Sequence, residues 1–216
     1  MAYTPKSYQS IYINTGVTAT TINTVSVRHA LGGLIAGGTG AGAGTGTSST
    51  GSITKFTDQG GGTVRVSSTG HGLSSGDFVS ISGTTNYNGV FEIQSVQTDD
   101  FDITTAFISD DATGTWDEPS YIEVSTGFGG VYAVHFNASA ASAVASKEYL
   151  FEVFKNGSAQ SELAAEKNYA STNEEHVSIQ GVLSVAAGDR IFLTVQNLTD
   201  TTNITVKYAN LTLYQI

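Results

Sequence analysis

Apolar residues in this chain recur at every second position. VYAVHFNASA, EYLFEVFKNG, HVSIQGVLSV, RIFLTVQNL and NITVKYANLTLYQI all carry the pattern. Successive side chains on a strand point to opposite faces, so a period of two signals β-structure and a period near 3.6 would signal a helix. Charged residues make up only 13% of the chain, about half the usual share. Threonine, serine, valine and aromatic residues take their place, which fits strands around a real core rather than disorder. The chain is expected to be all-β.

The stretch GGTGAGAGTGTSSTGS (37–52) interrupts this pattern with no charge and no side chain larger than threonine. It has neither G-x-G-x-x-G nor G-K-[ST], and no amphipathic helix follows it, so it is not a phosphate loop. It reads as a flexible linker. Short strand signals follow: TKFT, TVRVSST, DFVSISG, GVFEIQSV, FDITTAF and GTW. Six strands in so short a span suggest a small closed barrel, which has no exposed sheet edge. Asn88-Gly89 is the strongest hairpin signal in this region, of the type I′ kind, and Asn156-Gly157 marks another turn. The helix-prone SELAAEKNYA (161–170) is read as strand plus loop.

Several later strands are apolar on both faces. In the last one, Ile204, Val206, Tyr208, Tyr214 and Ile216 alternate with a second set, Ala209, Leu211 and Leu213. Tyr132, Val134 and Phe136 likewise oppose Val131, Ala133 and His135. A strand apolar on both faces calls for a second buried surface, such as a subunit interface.

The segments GVYAVHFNASA, YLFEVFKNGSAQSE and VSIQGVLSVAAGDRIFLTVQNLTDTTNITVKYANLTLYQI, with GVTATTINTVSVRHALGGLIAGGT before the linker, resemble the C1q/TNF-like jelly rolls of tailed-phage virion proteins. GHGLSSGDFVSISGTTNYNG with FEIQSV resembles a small phage β-barrel with a G-L-x-x-G-D-x-V-x-I pattern. The resemblance implies a discontinuous jelly-roll sandwich. Its first strands and an amino-terminal arm lie in 1–37, and a linker spans 38–52. The inserted barrel spans 53–117, and the remaining strands lie in 118–216. The barrel is expected to be excisable.

The residue types for chemistry are sparse. With no cysteine there is no disulfide or thiolate site. His29, His71, His135 and His176 lack metal-ligand spacing, and no nucleophile motif occurs. His71 is expected to serve its own turn. Asp99-Asp100 and Asp110-Asp111 could ligate calcium or act as a carboxylate pair in glycoside hydrolysis, but they lack a D-x-D-x-D-G loop and read as solvated turns. No cofactor, metal site or enzymatic activity is expected. Five Asn-x-Ser/Thr sequons, at Asn137, Asn156, Asn197, Asn203 and Asn210, read as accidents of composition. Net charge is −10. Residues 52–117 hold two basic and nine acidic side chains, leaving −3 for the rest. Such a balance argues against nucleic-acid binding. No apolar run reaches the length of a membrane span, and the amino terminus lacks an apolar signal-peptide core, so synthesis in the host cytoplasm is expected.

The resemblance therefore implies a structural virion protein: a homotrimeric decoration or head-fibre protein on the outer surface of a phage head, bound to the major capsid protein. The alternative is a tail-associated receptor-binding tip that recognises a cell-surface glycan. Tyr132, Phe136, Phe192, Tyr208, Leu211, Leu213 and Tyr214 are expected in the trimer interface or core. An arm with Tyr3, Pro5 and Tyr8 is expected to anchor the protein.

Overall fold

The computed structural model describes the backbone of residues 8–13, 18–20, 28–30, 35–37 and 43–45, and the whole of residues 49–216. All the regular elements among them are strands. The first five are β1 (Tyr8–Ile13), β2 (Thr18–Thr20), β3 (Arg28–Ala30), β4 (Ile35–Gly37) and β5 (Ala43–Thr45). Then come β6 (Thr50–Ser52), β7 (Lys55–Gly60), β8 (Thr63–Ser67), β9 (Phe78–Ser82), β10 (Gly89–Gln94), β11 (Asp100–Thr104) and β12 (Thr115–Asp117). The rest are β13 (Tyr121–Val124), β14 (Gly130–Ser142), β15 (Lys147–Lys155), β16 (Ser158–Tyr169), β17 (Glu175–Val185), β18 (Arg190–Asn197) and β19 (Ile204–Gln215).

Two antiparallel sheets form a sandwich. The front sheet runs β17-β14-β19-β1-β4, with β2 also on β19, and the back sheet runs β16-β15-β18-β13-β5, with β3 also on β18. From β13 onward the chain crosses repeatedly between the sheets. This is a C1q/TNF-like jelly roll. Its core is built from the inward positions of both sheets, among them Tyr132, Val134, Phe136, Phe151, Leu193, Leu211 and Leu213. Gly181 on β17 lets the sheets close at one edge, because a Cβ there would stand 2.5 Å from Leu163. β16 occupies most of SELAAEKNYA: cross-strand pairing with β15 from Lys147↔Tyr169 overrides the helical propensity.

The chain leaves the sandwich after β5 and returns at β13. Between them a seven-stranded sheet is ordered β6-β12-β9-β10-β11-β8-β7. Ile53 and Thr54 join β6 to β7 and donate to Gly114 and Ser67, so the first and last strands are one bent run and the sheet closes into a barrel. Trp116 fills its interior at 1% exposure and donates from Nε1 to Ser68 Oγ at 2.8 Å.

Three local readings change. The linker is not unstructured throughout: β5 pairs with β13 and β6 with β12. Ladder hydrogen bonds use only the backbone, so small residues can form them without any side-chain pattern. Gly51 is needed where it stands, since a Cβ would fall 2.6 Å from Trp116 Nε1. The dipeptide Asn156-Gly157 makes the expected turn, with φ of 48° and 74° between β15 and β16, but Asn88-Gly89 does not. There Asn88 Oδ1 accepts from Thr84 N and Oγ1 at 3.0 Å and closes a longer loop with its side chain, while Gly89 opens β10.

The third change concerns β19. Its register against β14 shifts between Ser139↔Tyr208 and Ala140↔Val206, leaving Lys207 as the extra residue of a bulge. The two apolar sets are therefore one set. Ile204 and Val206 face the core before the bulge, and Ala209, Leu211 and Leu213 face it afterwards. Tyr208 and Tyr214 are left outside.

Candidate functional site

Tyr132, Phe136, Leu211 and Leu213 lie in the sandwich core and cannot touch a partner. Phe192 is fully buried as well, in a small separate core that it forms with Phe154 and the barrel's Phe78. Tyr208 and Tyr214 stand on the outer face of the front sheet, 51% and 44% exposed. Tyr3 and Pro5 lie outside the described residues. Tyr8 pairs with Tyr214 at the end of β1, so residues 8–10 belong to a strand and not to a free arm.

The outer face of the front sheet follows from the register. β17 presents His176, Ser178, Gln180 and Val182. β14 presents Val131, Ala133, His135 and Asn137, and β19 presents Tyr208, Asn210 and Tyr214, with Thr212 on the same side but buried. None of these positions is Asp, Glu, Lys or Arg. Val182 is 60% exposed in the row that also holds Ala133 and Tyr214. The His135 ring meets Tyr214 edge-on at 5.8 Å. At the lower end of the face, an open groove of about 630 Å³ lies between Asn137, Ser139, His176, Ser178, Tyr208 and Asn210. Among the described residues, formal charge appears at the margins of the face. There Lys207 in the bulge meets Glu174 at 2.8 Å, and Ser139 Oγ also donates to that carboxylate. Both contacts hold the Glu174 carboxyl below its ordinary value, that of Lys207 more strongly. Charge-free outward positions could have been counted in the sequence, but the bulge hides which positions face out.

The acidic barrel surface has a different explanation. Asp99 accepts from Gly70 N at 2.8 Å, Asp100 from Ser67 Oγ at 2.6 Å and Asp110 from Phe56 N at 2.9 Å. Asp111 accepts from the Thr85 and Asn86 amides and from Thr113 Oγ1. Burial raises the Asp111 carboxyl, but these donors outweigh it and hold it below its ordinary value. The carboxylates are engaged with turn N–H and hydroxyl groups that would otherwise lack partners. Among the described residues, no three His, Asp or Glu side chains converge as metal ligands. His71 serves its turn, accepting from Leu73 N at 3.0 Å and meeting Asp100 O at 3.2 Å.

The barrel is clamped to the back sheet, opposite the uncharged face. Phe78 of the barrel packs on Phe192, and Phe192 on Phe154, both at 5.6 Å. Arg190 at the head of β18 donates from Nη1 to Gly76 O and Asp77 Oδ1, each at 2.9 Å, and from Nε to Glu123 at 3.0 Å. Its guanidinium lies 4.6 Å from the centre of the Tyr121 ring. Burial would lower the Arg190 guanidinium, but Asp77 and Glu123 hold it above its ordinary value. A polar cleft of about 380 Å³ opens beside the clamp, with Glu92 and Asn156 among its walls.

No family model matches the sequence, and no curated protein is similar to it. Among solved structures, Eiger TNF from S. frugiperda aligns at 12% identity with a TM-score of 0.34, covering 77% of this chain and 93% of its own. The isomalto-dextranase of Arthrobacter globiformis T6, complexed with panose, aligns at 11% identity with a TM-score of 0.26, covering 69% of this chain and 35% of its own. The delta-endotoxin Cry8Ea1 from Bacillus thuringiensis aligns at 8% identity with a TM-score of 0.28, covering 96% of this chain and 52% of its own. At these scores none bears on function, and the jelly-roll assignment rests on strand order.

Proposed function

We propose that the chain is a structural virion protein of a tailed bacteriophage, a homotrimeric capsid decoration or head-fibre protein on the outer surface of the head. The observation that carries this reading is the uncharged face of β17, β14 and β19 on a chain of net charge −10. Copies of an acidic chain repel wherever carboxylates meet, and such juxtaposition costs several kcal/mol. This face is a described surface on which copies can meet without that cost. Val131, Val182, Tyr208, Tyr214 and Ile216 supply its apolar content, while Ile108 and Val144 are the large exposed hydrophobics elsewhere among the described residues. The barrel occupies the opposite sheet and does not obstruct the contact. The number three and the phage head come from the family resemblance, a fold-level analogy. The reading makes the major capsid protein the second partner.

Light scattering at micromolar concentration tests the assembly. A trimer is expected for the native chain and a monomer for the Val182→Glu/Tyr214→Glu variant. A monomeric native chain overturns the reading. Binding to capsids stripped of the protein tests the location. A trimer that ignores capsids and binds host-surface glycan would be a receptor-binding tip instead.

A further inference from the structure

We propose that self-association of this chain through its front sheet is controlled by pH, with His135 as the sensor. The inference rests on the assembly reading above and adds its regulation. Histidine changes charge between pH 5 and 8, whereas the other side-chain types on this face titrate far above that range or not at all. His135 sits on the central strand of the three. Its cross-strand neighbours are Gln180 on β17 and Thr212 on β19, and its ring contact is Tyr214. The adjoining strands β1, β2 and β4 have the sequences YQSIYI, TAT and IAG, with tyrosine as their only titratable residue. No described carboxylate faces His135.

A second copy laid on this face takes the imidazole out of water. The neutral ring tolerates that, but an imidazolium without a counter-ion does not. Assembly then favours the neutral form and depresses the value at which the ring protonates. The sign follows from linkage. Association is complete above the value of the free chain and is lost as pH falls below it. Every protomer that must shed a proton to assemble adds to the loss, so dissociation deepens as pH falls.

His176 is the internal control. It lies at the groove beside Tyr208 and Ser139, where the Glu174–Lys207 pair marks the edge of the face. Glu174 interacts with His176, and its carboxyl is held ionised by Lys207 and Ser139, so a charge on His176 has a partner.

The experiment is light scattering of the native chain, His135→Gln and His176→Gln between pH 7.5 and 5.0, with circular dichroism reporting the fold at each point. The native chain and His176→Gln should dissociate as pH falls while keeping their β signal. His135→Gln should remain assembled at pH 5.0. A native assembly unchanged at pH 5.0, or a His135→Gln variant that dissociates like the native chain, overturns the proposal. A native chain monomeric at every pH overturns the assembly reading itself. If His135→Gln fails to fold, His135→Asn serves the same comparison.

Discussion

Arg190 Nη1 and Asp77 Oδ1 lie 2.9 Å apart across 113 positions of the chain, and they join the sandwich to the barrel. The same guanidinium reaches Glu123 beside it and the Gly76 carbonyl opposite. One fork therefore fixes two domains that share little sequence neighbourhood.

Arg190→Ala leaves Asp77 buried without its cation and should cost about 2–3 kcal/mol. Arg190→Lys should restore little of this, because an ammonium cannot bridge the same acceptors as a planar fork. Calorimetry should show one transition in the native chain and a separate, earlier barrel transition in Arg190→Ala. A single unshifted transition would contradict the clamp.

The barrel is not simply excisable as the linker reading implies: joining Gly40 to Glu118 should produce an aggregating chain. The cut removes β5, which pairs with β13, and strips Phe78 from Phe154 and Phe192, themselves 3% and 0% exposed. A version that keeps residues 43–45 and carries Phe154→Ser and Phe192→Thr should stay soluble. Size-exclusion chromatography of the two deletions separates these outcomes.

Gly51→Ala should destabilise the barrel by about 1–3 kcal/mol, because the Trp116 ring must yield to the new Cβ or tilt the strand. Tryptophan emission, expected to be blue-shifted for the buried native ring, should move to the red. The sandwich should be little affected.

Glu118 lies buried at the point where the chain re-enters the sandwich, and burial raises its carboxyl, with Asp77 adding to the rise and Ser49 and Arg190 opposing it. A carboxyl raised in the folded state favours folding below its unfolded value and loses that contribution as pH rises through the folded value. Glu118→Gln should therefore raise the melting temperature at pH 7 by about 1–3 °C. The gain should vanish near pH 4, where the native residue is also neutral. Thermal melts at the two pH values decide this.

The sequence made the strands legible wherever side chains alternate, as in RIFLTVQN of β18, whose ladder with β15 runs from Tyr149↔Asn197 to Lys155↔Ile191. It hides the strands made by backbone alone, β5 and β6 in the Gly/Ser stretch among them. One extra residue at Lys207 was enough to misassign the faces of β19, since a bulge inverts every position beyond it. Asn88-Gly89 and Asn156-Gly157 are the same dipeptide with different outcomes, because Thr84 offers Asn88 a side-chain closure. The candidate face was visible only as tyrosines and valines in excess. Its lack of charge emerges once the register aligns three strands.

The pairing of β1 with β19, from Tyr8↔Tyr214 to Ile13↔Ala209, has a consequence for biosynthesis. While the chain emerges from the ribosome, β1 has no β19 to receive it until the last strand is made. The barrel, whose strands pair among themselves within residues 50–117, can fold long before then. Non-local pairing is slow and leaves strand edges exposed. β1 must therefore wait for β19 until residues 204–215 are made, and a chain stalled before residue 204 should carry a finished barrel and an unfinished sandwich.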